Sequence, residues 1–190
     1  LHILPKGNFI VEPQGNNTAP CIGLAAVELA RRDPDAVMIV LPADHSVSHA
    51  DAFLRTIKGA VRLAQEHDAL VTIGIRPSYP ETGYGYILKG KKIKGSGHGA
   101  CYRVKGFKEK PSFEKARRLA RLGSLWNSGI FVWKVSTILE MLRRFSPSVH
   151  RGIQRIQEAA RDRGLGDPPA GLRNTVRREY RKLPNISIDY

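Results

Sequence analysis

The sequence predicts an α/β fold, a mixed but mainly parallel sheet flanked by helices, and three features carry that expectation. Short, uniformly apolar runs alternate with amphipathic stretches long enough to serve as crossover helices. Residues 9–75 read strand, helix, strand, helix, strand, the order of a parallel βαβαβ sheet. The composition, 42% hydrophobic and 25% charged over 190 residues, is that of a globular domain with enough chain for a core.

Residues 9–11 are a short strand candidate closed by Pro13 and Gly15, expected at the centre of the sheet. Residues 19–32 carry Ile22, Leu24, Ala25, Ala26, Val27 and Leu29, a helix with a broad apolar face and Pro20 suited to its first turn. Asp33-Pro34 stops it. Residues 37–41 are the next strand, apolar throughout and so expected to be covered on both faces. Ser48 or Asp51 can cap a helix that carries Phe53, Leu54, Ile57, Val61 and Leu63 up to His67. Residues 70–75 form a third strand.

Beyond Pro77 the texture changes. Residues 86–88 and 102–107 read as strands joined by the Lys/Gly-rich hairpin KGKKIKGSGHGA, and residues 112–122 as a short basic helix. Residues 126–133 hold a bend and a strand. Ser136 is expected to cap a helix to Phe145, Pro147 to open another to about Arg161, and residues 164–171 to form a Gly/Pro loop. No internal repeat or low-complexity segment is visible.

No apolar run approaches the ~18 residues of a membrane span, and no secretory leader is recognisable. Cys21 and Cys101 lack ligand spacing and read as reduced cytoplasmic thiols. The chain opens on Leu1 and stops at Tyr190 inside an apolar pattern. Residues 1–190 are therefore expected to be one domain, incomplete at both ends. The net charge of +14 is uneven: residues 89–121 hold 12 Lys/Arg against 2 Asp/Glu, and residues 143–182 hold 11 against 4. Such a bias suits a phosphate-bearing partner. Residues 143–182 lack both the aromatic interleaving of a single-strand platform and a groove-reading motif, so they read as a solvated surface and nucleic acid is not expected.

Ligands of open α/β sheets bind outside the carboxyl ends of the strands. Glu12-Pro13-Gln14-Gly15 and Pro42-Ala43-Asp44-His45 both lie at such ends. A carboxylate at a strand tip, Asp44, suits a phosphate-bound Mg²⁺; it also suits an ordinary turn.

Six stretches in order, EPQGNNTAP (12–20), VLPADH (40–45), PETGYGYI (80–87), FKEKP (107–111), WNSGIF (126–131) and SIDY (187–190), settle the choice. Together they resemble the sugar-1-phosphate nucleotidyltransferases, and among them the mannose-1-phosphate guanylyltransferases, over essentially the whole chain. The resemblance implies the Rossmann-like nucleotide-diphospho-sugar transferase fold. It implies formation of GDP-mannose and pyrophosphate from mannose 1-phosphate and GTP, with Mg²⁺ as cofactor, in the cytoplasm. It makes Asp44 and Asp189 the metal ligands, and Asp44 and Lys110 the catalytic pair, Lys110 meeting the sugar phosphate. Gly15, Asn17 and Thr18 then meet the purine, and Tyr84, Gly85, Glu109 and Asn127 the sugar hydroxyls.

Two departures matter. Asn16 stands where that loop usually carries Arg or Lys, which puts one nucleotide contact in doubt. The family's Gly-rich loop with its Arg and Lys, which holds the triphosphate, has no match within residues 1–190. This length of chain by itself is therefore expected to bind GTP weakly and to turn over little. The alternatives are a same-fold glucose-1-phosphate uridylyl- or thymidylyltransferase and a non-catalytic nucleotide-sugar-binding regulatory subunit. A homodimer is left open, and no membrane partner is expected.

Overall fold

The computed structural model describes residues 4–93, 100–166 and 168–190. In chain order the elements are α1 (Thr18–Arg32), β1 (Val37–Val40), α2 (Ala50–His67), β2 (Val71–Ile75), β3 (Tyr86–Lys92) and β4 (Tyr102–Lys108). There follow α3 (Phe113–Arg121), β5 (Leu125–Lys134), α4 (Val135–Phe145), α5 (Pro147–Ala160) and α6 (Ala170–Tyr180). The chain divides into two compact units, residues 1–38 with 134–190, and residues 39–133.

The first unit is helical. Its core joins Leu24 and Val27 of α1, Leu142 of α4, Ile153 and Ile156 of α5 and Tyr180 of α6. Each such side chain contributes about 1.5–3 kcal/mol by leaving water. Helix α1 begins where expected: the Asn17 side chain accepts a hydrogen bond from the Thr18 amide, and Asn17 itself sits at φ 66°.

Helix α6 is an element the sequence reading missed. Leu172, Val176 and Tyr180 recur every four residues and are buried, while Arg173, Arg177 and Arg178 face outward. The Arg-rich composition masked that period. The basic surface expected over residues 143–182 is also partly internal business. Glu179 is almost fully buried and gathers Arg155, Arg178 and Lys182 at 2.8, 2.9 and 3.0 Å. The buried Glu28 is held likewise by Arg31, Arg32 and the Leu165 amide.

Residues 9–12 form no strand, against expectation. Ile10 packs instead on the helical core, while Val11 is 83% exposed. The caps also differ. Helix α2 starts after His49 with no side-chain cap, and α4 starts after Lys134, so Ser136 lies inside it.

The second unit is built on the sheet, in the order β1-β5-β3-β4 with β2 also beside β5. The α/β class holds, but every pairing of defined direction, β2 with β5, β3 with β5 and β3 with β4, is antiparallel. The parallel arrangement inferred for residues 9–75 is not confirmed: residues 9–11 form no strand, and the later β5 lies between β1 and β2. Trp126 of β5 pairs with Ile75 of β2 and with Tyr86 of β3. The β3–β4 hairpin is as expected, although residues 94–99 of its connection lie outside the described residues. Nor is β1 covered on both faces. Alternation sends Met38 and Ile39 to opposite sides; Met38 is buried and Ile39 is 41% exposed.

Candidate active site

In the second unit, three distant stretches meet at Gly85. Its carbonyl accepts the Asn127 amide at 2.8 Å. A Cβ at residue 85 would stand 2.6 Å from Glu109 Oε2 and 3.5 Å from the Asn127 Cβ. A side chain at residue 85 would thus have to push the Glu109 carboxylate aside. The structure therefore brings together Gly85, Glu109 and Asn127, which the sequence assigned to one ligand.

Local geometry explains how each is presented. Glu109 follows the last residue of β4, and Lys110 turns the chain with φ 36° ahead of the buried Pro111. Lys110 Nζ lies 3.8 Å from Glu109 Oε1, with the two side chains 68% and 41% exposed. A pair so exposed adds little stability and stays available to a ligand. Asn127 Oδ1 accepts the Gly129 amide at 3.2 Å, and Gly129 sits at φ 68°, a conformation glycine alone adopts cheaply. Ser128 locks the bend by donating to the Ile73 carbonyl at 2.6 Å and accepting the Ile130 amide at 3.1 Å. A Cβ on Gly129 would meet Pro42 at 3.3 Å. The loop that carries Asp44 thus runs beside the WNSG bend, with Asp44 exposed.

Tyr84 is 49% exposed and stands edge-on to Trp126, with ring centroids 5.3 Å apart. Tyr79 makes a second T-shaped contact with Trp126, with ring centroids 5.1 Å apart.

In the first unit the loop 12–18 is held by the chain end. Ala19 donates its amide to the Ile186 carbonyl, and Ile186 returns one to the Asn16 carbonyl. Ile188 donates its amide to Thr18 Oγ1 at 2.8 Å, Thr18 and Ser187 hydroxyls lie 3.2 Å apart, and Ser187 Oγ donates to Asp189 Oδ2 at 2.8 Å. Ser187 has one hydroxyl proton and gives it to Asp189, so Thr18 must be the donor to Ser187. This directed chain joins a residue assigned to the purine to one assigned to the metal. Asp44 and Asp189 themselves fall in different units.

Asn16 proves to be an anchor. It is buried, its Nδ2 donates to the Tyr180 and Leu183 carbonyls at 3.0 and 3.2 Å, and its Oδ1 accepts Gln14 Nε2. The position faces the end of α6, where an amide can donate to two carbonyls at once. Glu12 accepts the Tyr180 hydroxyl at 2.6 Å; burial, then this carboxylate, push the Tyr180 phenol well up. Burial and Glu12 likewise raise the Cys21 thiol. Gly15 has open space around its Cβ position, which leaves its backbone approachable.

Among the described residues no cluster of three or more His, Cys, Asp or Glu could hold an ion. Asp44 and Asp189 offer oxygen only. Each carboxylate suits a hard divalent cation of the Mg²⁺ kind, which takes one or two carboxylates and completes its shell with substrate phosphates and water. No helix among the described residues is long and apolar enough to cross a membrane.

Comparison with known proteins shows which family the chain resembles. Residues 4–165 match the nucleotidyl transferase family model. The chain is 38% identical to the mannose-1-phosphate guanylyltransferase ManC of Salmonella typhimurium over 96% of its length, and 42% identical to the mannose-1-phosphate guanylyltransferase of Klebsiella pneumoniae over 97%. It spans 37% and 38% of the lengths of those two relatives. Among solved structures it superposes on the mannose-1-phosphate geranyltransferase of Thermus thermophilus with a TM-score of 0.78 at 35% identity, over 95% of this chain and 48% of that one. The mannose-6-phosphate isomerase of Helicobacter pylori superposes with a TM-score of 0.71 at 29% identity, over 93% and 63% of the two chains. The family match covers most of the chain and contains every expected site residue except Asp189, so this protein belongs to the nucleotidyl transferase family.

Proposed function

We propose that the chain carries the substrate-recognition surfaces of a mannose-1-phosphate guanylyltransferase, which joins mannose 1-phosphate to GTP and yields GDP-mannose and pyrophosphate. The observation that carries this reading is the convergence of Gly85, Glu109 and Asn127 from three separate stretches. A carboxylate acceptor, an amide side chain and an approachable backbone are what a set of sugar hydroxyls requires.

In the proposed reaction a phosphate oxygen of mannose 1-phosphate attacks the α-phosphorus of GTP in line. One P–O bond forms, the α–β phosphoanhydride bond breaks, and pyrophosphate leaves with the electron pair. The nucleophile is already anionic, so no general base is needed and the protein supplies positioning and charge neutralisation. Lys110, exposed beside Glu109, neutralises the sugar phosphate while Glu109 takes its hydroxyls. Gly15, Asn17 and Thr18 receive the guanine edge, with Thr18 fixed by Ile188 and Ser187. Asp44 and Asp189 would hold Mg²⁺, which when bound offsets charge on the phosphates. A need for GTP fits work in the cytoplasm.

Pyrophosphate release from mannose 1-phosphate with GTP, ATP, UTP or dTTP in the presence of Mg²⁺ tests the reading. The residues that hold a triphosphate in this family have no match within this sequence, so the rank order is the readout and the rate is not. GTP should rank first; a preference for UTP or dTTP would assign a different base.

A further inference from the structure

The WNSG stretch holds a residue that the reaction as described leaves unused. Trp126 is 8% exposed, and its indole is flanked edge-on by Tyr79 and Tyr84 at 5.1 and 5.3 Å between ring centroids. Both tyrosines are about half exposed, at 53% and 49%. Such T-shaped contacts align the positive ring edge with the negative face and add to simple burial. Trp126 is also the residue before Asn127, and Tyr84 the residue before Gly85. The Tyr84–Trp126 contact therefore bridges the same two strands as the Asn127 amide to Gly85 carbonyl bond. On one side of Gly85 the chain is tied by that bond, and on the other by the ring contact.

The turn leading to Gly85 is braced further. Glu81 accepts the Gly83 amide on its carboxylate at 2.7 Å and the Tyr86 hydroxyl on its carbonyl at 2.9 Å. Its own amide donates to the Tyr79 carbonyl at 3.0 Å. Tyr79 is thereby fixed at the start of the turn and Tyr84 near its end, and both close on one indole. A tryptophan at this place does more than fill volume.

We propose that Trp126, gripped by Tyr79 and Tyr84, is a positioning residue for the sugar phosphate: it sets the spacing of Gly85 from Asn127 and Glu109, and so the hexose geometry that is accepted. The proposal rests on the sugar reading of that trio. Its consequence is selective. Loss of the grip should relax discrimination between hexose 1-phosphates that differ at one hydroxyl, while a bare phosphate, which needs only the exposed Lys110, should not respond.

Calorimetric titration of the chain with mannose 1-phosphate, glucose 1-phosphate and inorganic phosphate tests this, using Trp126→Leu, Trp126→Phe and Tyr79→Ala. Trp126→Leu should weaken mannose 1-phosphate about tenfold, the upper value of an aromatic pair, and narrow its margin over glucose 1-phosphate. Trp126→Phe keeps a ring for both tyrosines and should recover most of the loss. Tyr79 is exposed, so Tyr79→Ala should fold even if Trp126→Leu does not, with a loss of about threefold for one edge contact. Inorganic phosphate should bind all variants alike. Unchanged sugar phosphate affinity and selectivity in Tyr79→Ala and Trp126→Leu would overturn this proposal alone. Equal losses for inorganic phosphate would make Trp126 merely structural. If the parent chain bound neither sugar phosphate, the sugar reading itself would fall, and this proposal with it.

Discussion

In the proposed reading, Glu109 is the residue on which sugar recognition turns. Its Oε2 fills the space where a side chain at residue 85 would stand, so the two positions depend on each other. Glu109→Gln keeps the size but replaces a charged acceptor by an amide, and should weaken mannose 1-phosphate by about 1.5–3 kcal/mol. Gly85→Ala should give a similar loss by another route, because the new methyl group displaces the carboxylate. Neither should alter GTP affinity in a titration of each ligand alone; equal losses for both ligands would make Glu109 structural. At this scale the sequence was informative where a motif fixes a chemical type, as with Glu109 and Asn127. It was silent where the meaning lies in a partner far along the chain. Asn16 reads as a missing cation until its bonds to the Tyr180 and Leu183 carbonyls are seen, and nothing in the local sequence ties Thr18 to Ser187. Such contacts span 164 residues or more and leave no local pattern.

The pairing of α5 with α6 shows what a charge count conceals. Helix α6 was hidden by its arginines, yet Arg178 near its end serves a buried carboxylate. Hydrogen bonds from Arg178, Lys182 and Arg155 hold the Glu179 carboxyl down at about 2 against the opposing effect of burial. A carboxylate whose folded value is depressed stabilises the protein above its unfolded value, and that contribution disappears as pH falls through the folded one. The α5–α6 pair should therefore lose thermal stability between about pH 4.5 and pH 2. In Glu179→Gln the midpoint should start lower and vary less over that window. An acid dependence identical to the parent's would remove Glu179 from the account. Strands and helices with clean apolar periods, such as α1, α2 and β3, were legible because burial dictates their pattern. The starts of α2 and α4 were not, since neither uses the Ser or Asp cap that its sequence offers, although both end where expected, at His67 and Phe145.

At the scale of the whole molecule, chain order misled where topology is non-local. The strand, helix, strand pattern suggested parallel neighbours, but β5, from late in the sequence, lies beside both β1 and β2. No period in residues 9–75 could reveal that insertion. Residues 9–11, expected at the centre of the sheet, form no strand. The residues proposed for each substrate nonetheless lie within one unit, Gly15, Asn17 and Thr18 in the first and Tyr84, Gly85, Glu109, Lys110 and Asn127 in the second. Of the proposed metal ligands, by contrast, Asp189 belongs to the first and Asp44 to the second. Amide shift perturbation on titration with mannose 1-phosphate, GTP and GDP-mannose in turn, each with Mg²⁺, reads both surfaces at once. Mannose 1-phosphate should move Gly85, Glu109 and Asn127, GTP should move Gly15, Asn17 and Thr18, and GDP-mannose should move both sets together. Shifts confined to other residues, or a GDP-mannose response no different from that of UDP-glucose, would contradict the account.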